Sequence, residues 1–270
     1  MTLADLDLVL GWAAAEGWNP GLDDAAAFLS ADPEGFFVAE RDGVPVAAIS
    51  VVNHDPGQAF LGLYICRPAF RGQGIGLALW HHALAHAGTR TVGLDGVAAQ
   101  QANYAASGFR RSGATLRWEG PLAGAAATNV RPAAAADLPA LMRLDAAANG
   151  HARPGFLHGW LAASETRRSF VLDGTDGPAG FATIRRCCNG SKLGPVIAPD
   201  AAAALRLIRA ALAATGEALA VIDIPDASAD FAARLAAAGL AETFRTARMY
   251  RGAPPCPGPL LQAVGTLELG

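Results

Sequence analysis

Apolar and polar positions along the chain set out one plan and then repeat it. Residues 37–40 lead into a turn at Asp42-Gly43 and on into the apolar stretch 44–51, the pattern of a β-hairpin. A further apolar strand ends at Cys66, and Pro68 punctuates it. Ile75, Leu79 and Ala83 then fall at i, i+4 and i+8, with Leu77, Trp80 and Leu84 widening the stripe, so a helix is predicted from Ile75. Residues 91–94 form another strand.

In the second half, residues 170–173 turn at 174–177 into 178–184. Ala4-Asp5-Leu6 returns as Ala136-Asp137-Leu138, Pro68 as Pro199, and Ala106-Ser107-Gly108-Phe109 as Ala237-Ala238-Gly239-Leu240. All these offsets lie between 131 and 133 residues, the size of one ordinary domain.

Each half therefore reads as two helices, a hairpin, a central strand, a helix, a strand, a helix and closing strands. That is an α/β (α+β) class with mixed, twisted sheets flanked by helices. The expected units are 1–122 and 129–270, joined by an alanine-rich linker at 122–129. A Pro/Gly-rich piece at 252–259 leads to a tail, 260–269, patterned as a final strand. The second copy carries a starting strand at 129–131, whereas the first begins almost at its helix. Either translation starts upstream of Met1 or another strand fills that edge.

The stretch from Gly62 to Gly76 carries the chemistry. Gly72, Gly74 and Gly76 separate the strand from the helix, and a helix start offers unpaired N–H groups and partial positive charge to an anion. Glycine lets backbone approach a pyrophosphate closely, and Arg71 adds a fixed cation. A P-loop would need Gly-Lys-Ser/Thr, but Leu77 follows Gly76. A dinucleotide fingerprint would need a third glycine where Leu77 or Leu79 stands, although Asp95 falls about where a ribose-binding acid would.

Arg71-x-x-Gly74-x-Gly76, preceded by Tyr64-Ile65-Cys66-Arg67-Pro68, resembles the acyl-CoA motif of the GNAT acyltransferase superfamily. Tyr104-Ala-Ala-Ser-Gly108-Phe109 resembles the family's Tyr-x-x-x-Gly-Phe. Both occur in order, with the strand 91–94 between them. The resemblance implies tandem GNAT folds and acetyl-CoA (coenzyme A) as co-substrate, with no metal. It implies that Tyr64, Ile65 and Cys66 pair with the pantetheine arm, and that a backbone N–H near Ile65 or Cys66 polarises the thioester carbonyl. Arg71, Gly72, Gln73, Gly74, Ile75, Gly76 and Leu77 would hold the pyrophosphate, and Tyr104 would protonate the leaving thiolate. Many relatives carry a glutamate base on the central strand, at the position of Phe60 here. The remaining candidates are Asp95, His54, Glu40 and Glu16, with Asp95 ahead, although Asp95-Gly96 also reads as a turn. Glu16, Trp18 and Asn19 lie where the family builds its acceptor cleft, and equally suit a Pro-Gly turn with Trp18 packed inward.

The second copy departs from this pattern. Asp200 and a run of alanines stand where Arg71 and the glycines stood, and Leu235 replaces Tyr104, so a degenerate cofactor loop is expected there. A net charge of −3 gives no basic field for nucleic acid. Apolar residues make up 52% of the chain, yet no strongly apolar run reaches the ~18 residues of a membrane span. Cys66, Cys187, Cys188 and Cys256 have no metal spacing and read as free thiols of a reducing cytoplasm. The expectation is a cytoplasmic acyl-CoA-dependent N-acyltransferase, monomer or homodimer, acting on a small amine by direct transfer in a ternary complex. Its rivals are a non-catalytic acyl-CoA sensor and a nucleotide-dependent oxidoreductase.

Overall fold

In the computed structural model, which describes residues 1–270, the first half runs α1 (Leu3–Ala15), α2 (Asp24–Ala31), β1 (Phe36–Arg41), β2 (Val44–Asn53), β3 (Gln58–Cys66), α3 (Ile75–His86), β4 (Thr91–Gly96), α4 (Gln101–Ala106) and β5 (Arg110–Pro121). The second runs β6 (Val130–Pro132), α5 (Leu138–Asn149), α6 (Pro154–Leu161), β7 (Arg167–Gly174), β8 (Gly177–Arg186), β9 (Ser191–Ile197), α7 (Ala201–Thr215), β10 (Leu219–Pro225), α8 (Ala229–Ala237), β11 (Ala241–Arg251) and β12 (Leu261–Ala263). Local chemistry sets several boundaries. Thr2 and Asp5 form a reciprocal capping box that starts α1. Gly74, in the left-handed region at φ 80°, starts α3.

The strands form a single 12-stranded sheet in the order β1-β2-β3-β4-β11-β5-β10-β9-β8-β7-β6, with β12 beside β9. The halves have exchanged their long closing strands. β11 of the second half pairs with β4 of the first (Met249↔Leu94), and β5 of the first pairs with β10 of the second (Ile222↔Trp118). The two exchanged strands pair with each other at the centre, Ala247 opposite Ala114. The boundary read at 122–129 falls on the connection from β5 to β6, yet the sheet runs unbroken across it. Exchange covers strand edges that separate sheets would leave open.

Both faces of the sheet are covered, and the period-two alternation of β2 divides between them. Ala47, Ile49 and Val51 pack with Leu79, Trp80 and Ala83 of α3, while Ala48 and Val52 join α1, α2, α5 and α6 in a core shared by both halves. Phe28 and Trp160 stack across that shared core, where helix α6 packs on α2. A third core joins α7 and α8 to β8, β9, β10 and β5. Buried ion pairs bind the halves: Arg117 to Asp223 at 2.7 Å, Arg248 to Asp95 at 2.7 Å, and Arg185 to Asp24.

Two sequence expectations change. The tail is extended only over Leu261–Ala263, because the Thr266 hydroxyl takes the amides of Glu268 and Leu269 and turns the chain. No other strand fills the edge beyond β1; the Met1 amine donates to Phe36 O at 2.9 Å.

Candidate active site

The parallel pairing of β3 with β4 runs from Gln58↔Thr91 to Leu61↔Leu94 and stops. β3 continues to Cys66, still held on its other side by β2 (Ala48↔Ile65, Ala47↔Cys66), so the β4-facing edge of residues 62–66 has no strand partner. Leu63, at φ 49°, marks the irregularity where the strands part. A cavity of about 880 Å³ opens in this splay.

Tyr64, Ile65 and Cys66 line one side of the cavity, with Arg71, Gly72, Gly74, Gly76 and Leu77 at its α3 end. None of the amides of residues 72–77 has a hydrogen-bond partner within the protein. A Cβ on Gly72 or Gly74 would meet nothing within 4 Å, and both have φ near 75–80°, so open space lies over bare backbone. The donors and the helix end thus fit an anionic group. Arg71 is less free than expected: its Nε donates to Cys66 O at 2.8 Å and its Nη2 to Glu16 at 2.6 Å, which ties the loop to the end of β3. Gln73 turns away to Arg41 and Ala69 O, and Ile75 packs against the α3 core.

Tyr104 lines the same cavity from α4, stacked on Trp80 with ring centroids 5.4 Å apart. Its hydroxyl has no protein partner and is not sealed. Burial, reinforced by Tyr64, pushes the phenol up to about 12, so it remains protonated and is suited to donate.

The base candidates are redistributed. Asp95, expected to lead them, is almost fully buried. It accepts from Thr115 (2.8 Å), Thr246 (3.1 Å) and Arg248 (3.1 and 2.7 Å), so both oxygens are committed to the strand exchange. His54 lies outside the cavity, with Nε2 at 2.7 Å from Leu269 O; burial pulls it down to about 3. Glu40 is exposed on β1, and Glu16 is paired at the rim with Arg71. Trp18 reaches the cavity, its carbonyl accepting from Lys192 Nζ at 2.8 Å, while Asn19 turns to Asn189 O at 2.8 Å. Phe60 packs under the Arg248 guanidinium.

Sequence reasoning missed one wall of the cavity. Arg117 and Glu119 of β5, Thr243, Phe244 and Thr246 from β11, and Leu267 and Glu268 of the tail complete it. Their place depends on strand exchange, which no local pattern encodes. One signal was present: Glu268 is the single charged residue of the terminal run 260–270.

The pattern of the GNAT acetyltransferase family matches residues 6–113, and that of a GNAT acetyltransferase domain matches residues 141–262. A relative from Pseudoalteromonas sp. (strain SANK 73390), holothin acyltransferase, is 36% identical over 273 residues, spanning 100% of this chain and 92% of its own. The chain belongs to the GNAT acyltransferases. Solved structures agree on the fold. A putative acetyltransferase from Pyrococcus horikoshii superposes with a TM-score of 0.83 at 19% identity, over 100% of this chain and 94% of the other. A tandem GNAT protein from the clavulanic acid biosynthesis pathway does so at 0.63 and 17%, over 95% and 96%.

In this tandem GNAT the second half opens the same splay but fills it with protein. β9 and β10 pair only at Ala220↔Ser191 and Val221↔Lys192. Beyond that, β12 lies antiparallel on β9 (Leu261↔Ile197, Ala263↔Val196), and Val264 N donates to Asp223 O. By the 131-residue offset, Val196 and Ile197 correspond to Ile65 and Cys66. The first turn of α7 is capped by Asp200, which takes Ala203 N at 2.8 Å. The tail occupies the edge that is free in the first half.

Proposed function

We propose that residues 1–122 bind acetyl-CoA and transfer its acetyl group directly to the amine of a small molecule, within a ternary complex, while the 129–270 half binds no CoA. GNAT enzymes as a family use an acyl-CoA co-substrate. One observation carries the reading. The unpartnered edge of β3 stands at one end of the cavity beside six consecutive amides, of residues 72–77, that have no partner. The amides and the α3 start hold the pyrophosphate, the free edge at Tyr64–Cys66 pairs with the pantetheine arm, and a β3 N–H polarises the thioester carbonyl. Tyr104 gives the departing thiolate its proton. Glu16 and Trp18 form part of the acceptor side. The named relative acts on holothin, and we take holothin or a similar small amine as the acceptor here.

The decisive experiment presents acetyl-CoA and a panel of primary and aryl amines, holothin included, and follows thiol release. Turnover of at least one amine is expected. Calorimetric binding of acetyl-CoA with no turnover on any amine would instead favour a non-catalytic acyl-CoA sensor, a reading motivated by Phe60 standing in place of a strand glutamate.

A further inference from the structure

The C-terminal tail crosses from the second half's filled splay to the first half's open one and ends beside the gap left at Phe60. The carbonyl oxygen of Glu268 lies against β3 so closely that a Cβ on Gly62 would stand 2.0 Å from it. Gly62 falls between Phe60, where a strand carboxylate is missing, and Tyr64, where the free edge toward the α3 cradle continues. The tail is held there at three points. The Thr266 hydroxyl accepts from Glu268 N at 2.8 Å and Leu269 N at 3.2 Å, and donates to Glu268 Oε2. His54 Nε2 donates to Leu269 O at 2.7 Å, and Arg153 holds the terminal Gly270 O.

This leaves one oxygen uncommitted. Oε1 of Glu268 has no hydrogen-bond partner in the protein and is not sealed off, and the residue lines the cavity with Tyr104. Burial alone would favour the protonated acid, but Lys192, Arg185 and Arg117 hold the carboxyl below its ordinary range, so it is ionised at neutral pH. None of these cations reaches it within ion-pair distance, so they compensate its charge without occupying its contact positions. Among the other cavity carboxylates Asp95 is saturated and Glu16 is paired, which leaves Glu119 of β5 as the competitor that the test must separate.

We propose that Glu268 supplies, from the tail, the carboxylate that receives the acceptor's amine and takes its proton, directly or through one water. The inference rests on the acyltransferase reading above. The ammonium of the acceptor donates to Oε1 and passes one proton to the carboxylate. The freed nitrogen lone pair forms the N–C bond at the thioester carbonyl carbon, and the C–S bond breaks. The thiolate takes the Tyr104 proton, the second proton leaving nitrogen restores the phenol, and Glu268 returns its proton to water. The products are the amide, free CoA thiol and one proton.

The test uses the full-length protein, acetyl-CoA and the best amine of the panel. Glu268→Gln keeps the shape and the Thr266 contact, and is expected to lower kcat/KM by at least about 100-fold, the scale of a lost general base. Its acetyl-CoA affinity should stay within about threefold of wild type. Glu268→Asp, which keeps the charge but withdraws it by one methylene, is expected to lose at least about tenfold at unchanged Tm, and it settles the matter should the glutamine variant fail to fold. Either variant retaining kcat/KM within about threefold, or the full loss appearing in Glu119→Gln instead, overturns the proposal while leaving the acyltransferase reading intact. A wild-type protein that binds acetyl-CoA and acylates nothing overturns both.

Discussion

Replacing Gly62 by alanine places a single methyl group where the tail crosses β3. The new Cβ would stand 2.0 Å from Glu268 O, 2.8 Å from its carbonyl carbon and 2.9 Å from its Cα. All three are backbone atoms, so no side-chain rotation relieves the contact. A carbon–oxygen approach normally stops near 3.3 Å, and the tail must therefore retreat by roughly 1 Å. Overpacking of this kind costs about 1–3 kcal/mol, more than the roughly 0.4–1 kcal/mol gained from a stiffer unfolded chain, so a net loss of about 1–2 kcal/mol is expected. A catalytic group displaced by about 1 Å loses on the order of 100-fold in rate. Urea unfolding should register the first effect and kcat/KM the second. Faster proteolysis within residues 264–270 should report the loosened tail. Acetyl-CoA affinity should change little, because the 72–77 amides are untouched. Stability within about 0.5 kcal/mol of wild type, together with full turnover and an equally resistant tail, would refute the seating of the tail on β3.

Three further outcomes are expected. Gly74→Glu puts a carboxylate into an amide cradle and an L side chain at φ 80°, and should weaken acetyl-CoA binding by more than about tenfold in calorimetry; unchanged affinity removes the phosphate assignment. Tyr104→Phe should lower kcat by about 100-fold without altering acetyl-CoA affinity, and an undiminished kcat would mean the thiolate is protonated elsewhere. His54 titrates at about 3 in the folded chain against about 6.5 unfolded. Below 6.5 the unfolded chain binds the extra proton, so this contribution is intact above pH 6.5 and drains away as pH falls toward 3. By pH 5 the loss amounts to about 2 kcal/mol, and His54→Asn should flatten the drop in urea midpoint between pH 7 and pH 5; identical slopes in the two proteins would refute it.

The elements and the cofactor loop were legible because they are written locally. A stripe at i, i+4 and i+8, three spaced glycines and a tyrosine ahead of Gly-Phe each lie within about ten residues of the backbone they specify. The repeat was legible because offsets of 131–133 residues recur along the chain. What escaped was pairing. Nothing in residues 241–251 distinguishes a strand that closes its own half from one that inserts beside β4, since both bury the same alternating face. With exchange unseen, Asp95 looked like a free carboxylate at a strand end. Its partners Arg248 and Thr246 come from more than 150 positions away in the chain. Glu268 was hidden for the same reason, because the tail read as a strand and its turn depends on one hydroxyl at Thr266.

The loss of the cofactor loop in one half and the provision of a carboxylate to the other are linked through the tail. An open strand edge holds one partner at a time. β12 uses the backbone of Val196 and Ile197, the counterparts of Ile65 and Cys66, so a pantetheine arm in the second splay would have to displace it. Residues 264–270 reach β3 only because β12 and the Val264–Asp223 hydrogen bond set their starting point. A second bound CoA would therefore unseat Glu268 from the first site. With β12 on that edge, glycines and an arginine at 200–205 would have no ligand to hold. The alanines there pack inward instead, with Ala201, Ala203 and Ala204 buried in the α7 core. On this argument the second half acts as the scaffold that aims the chain terminus at the first half's thioester.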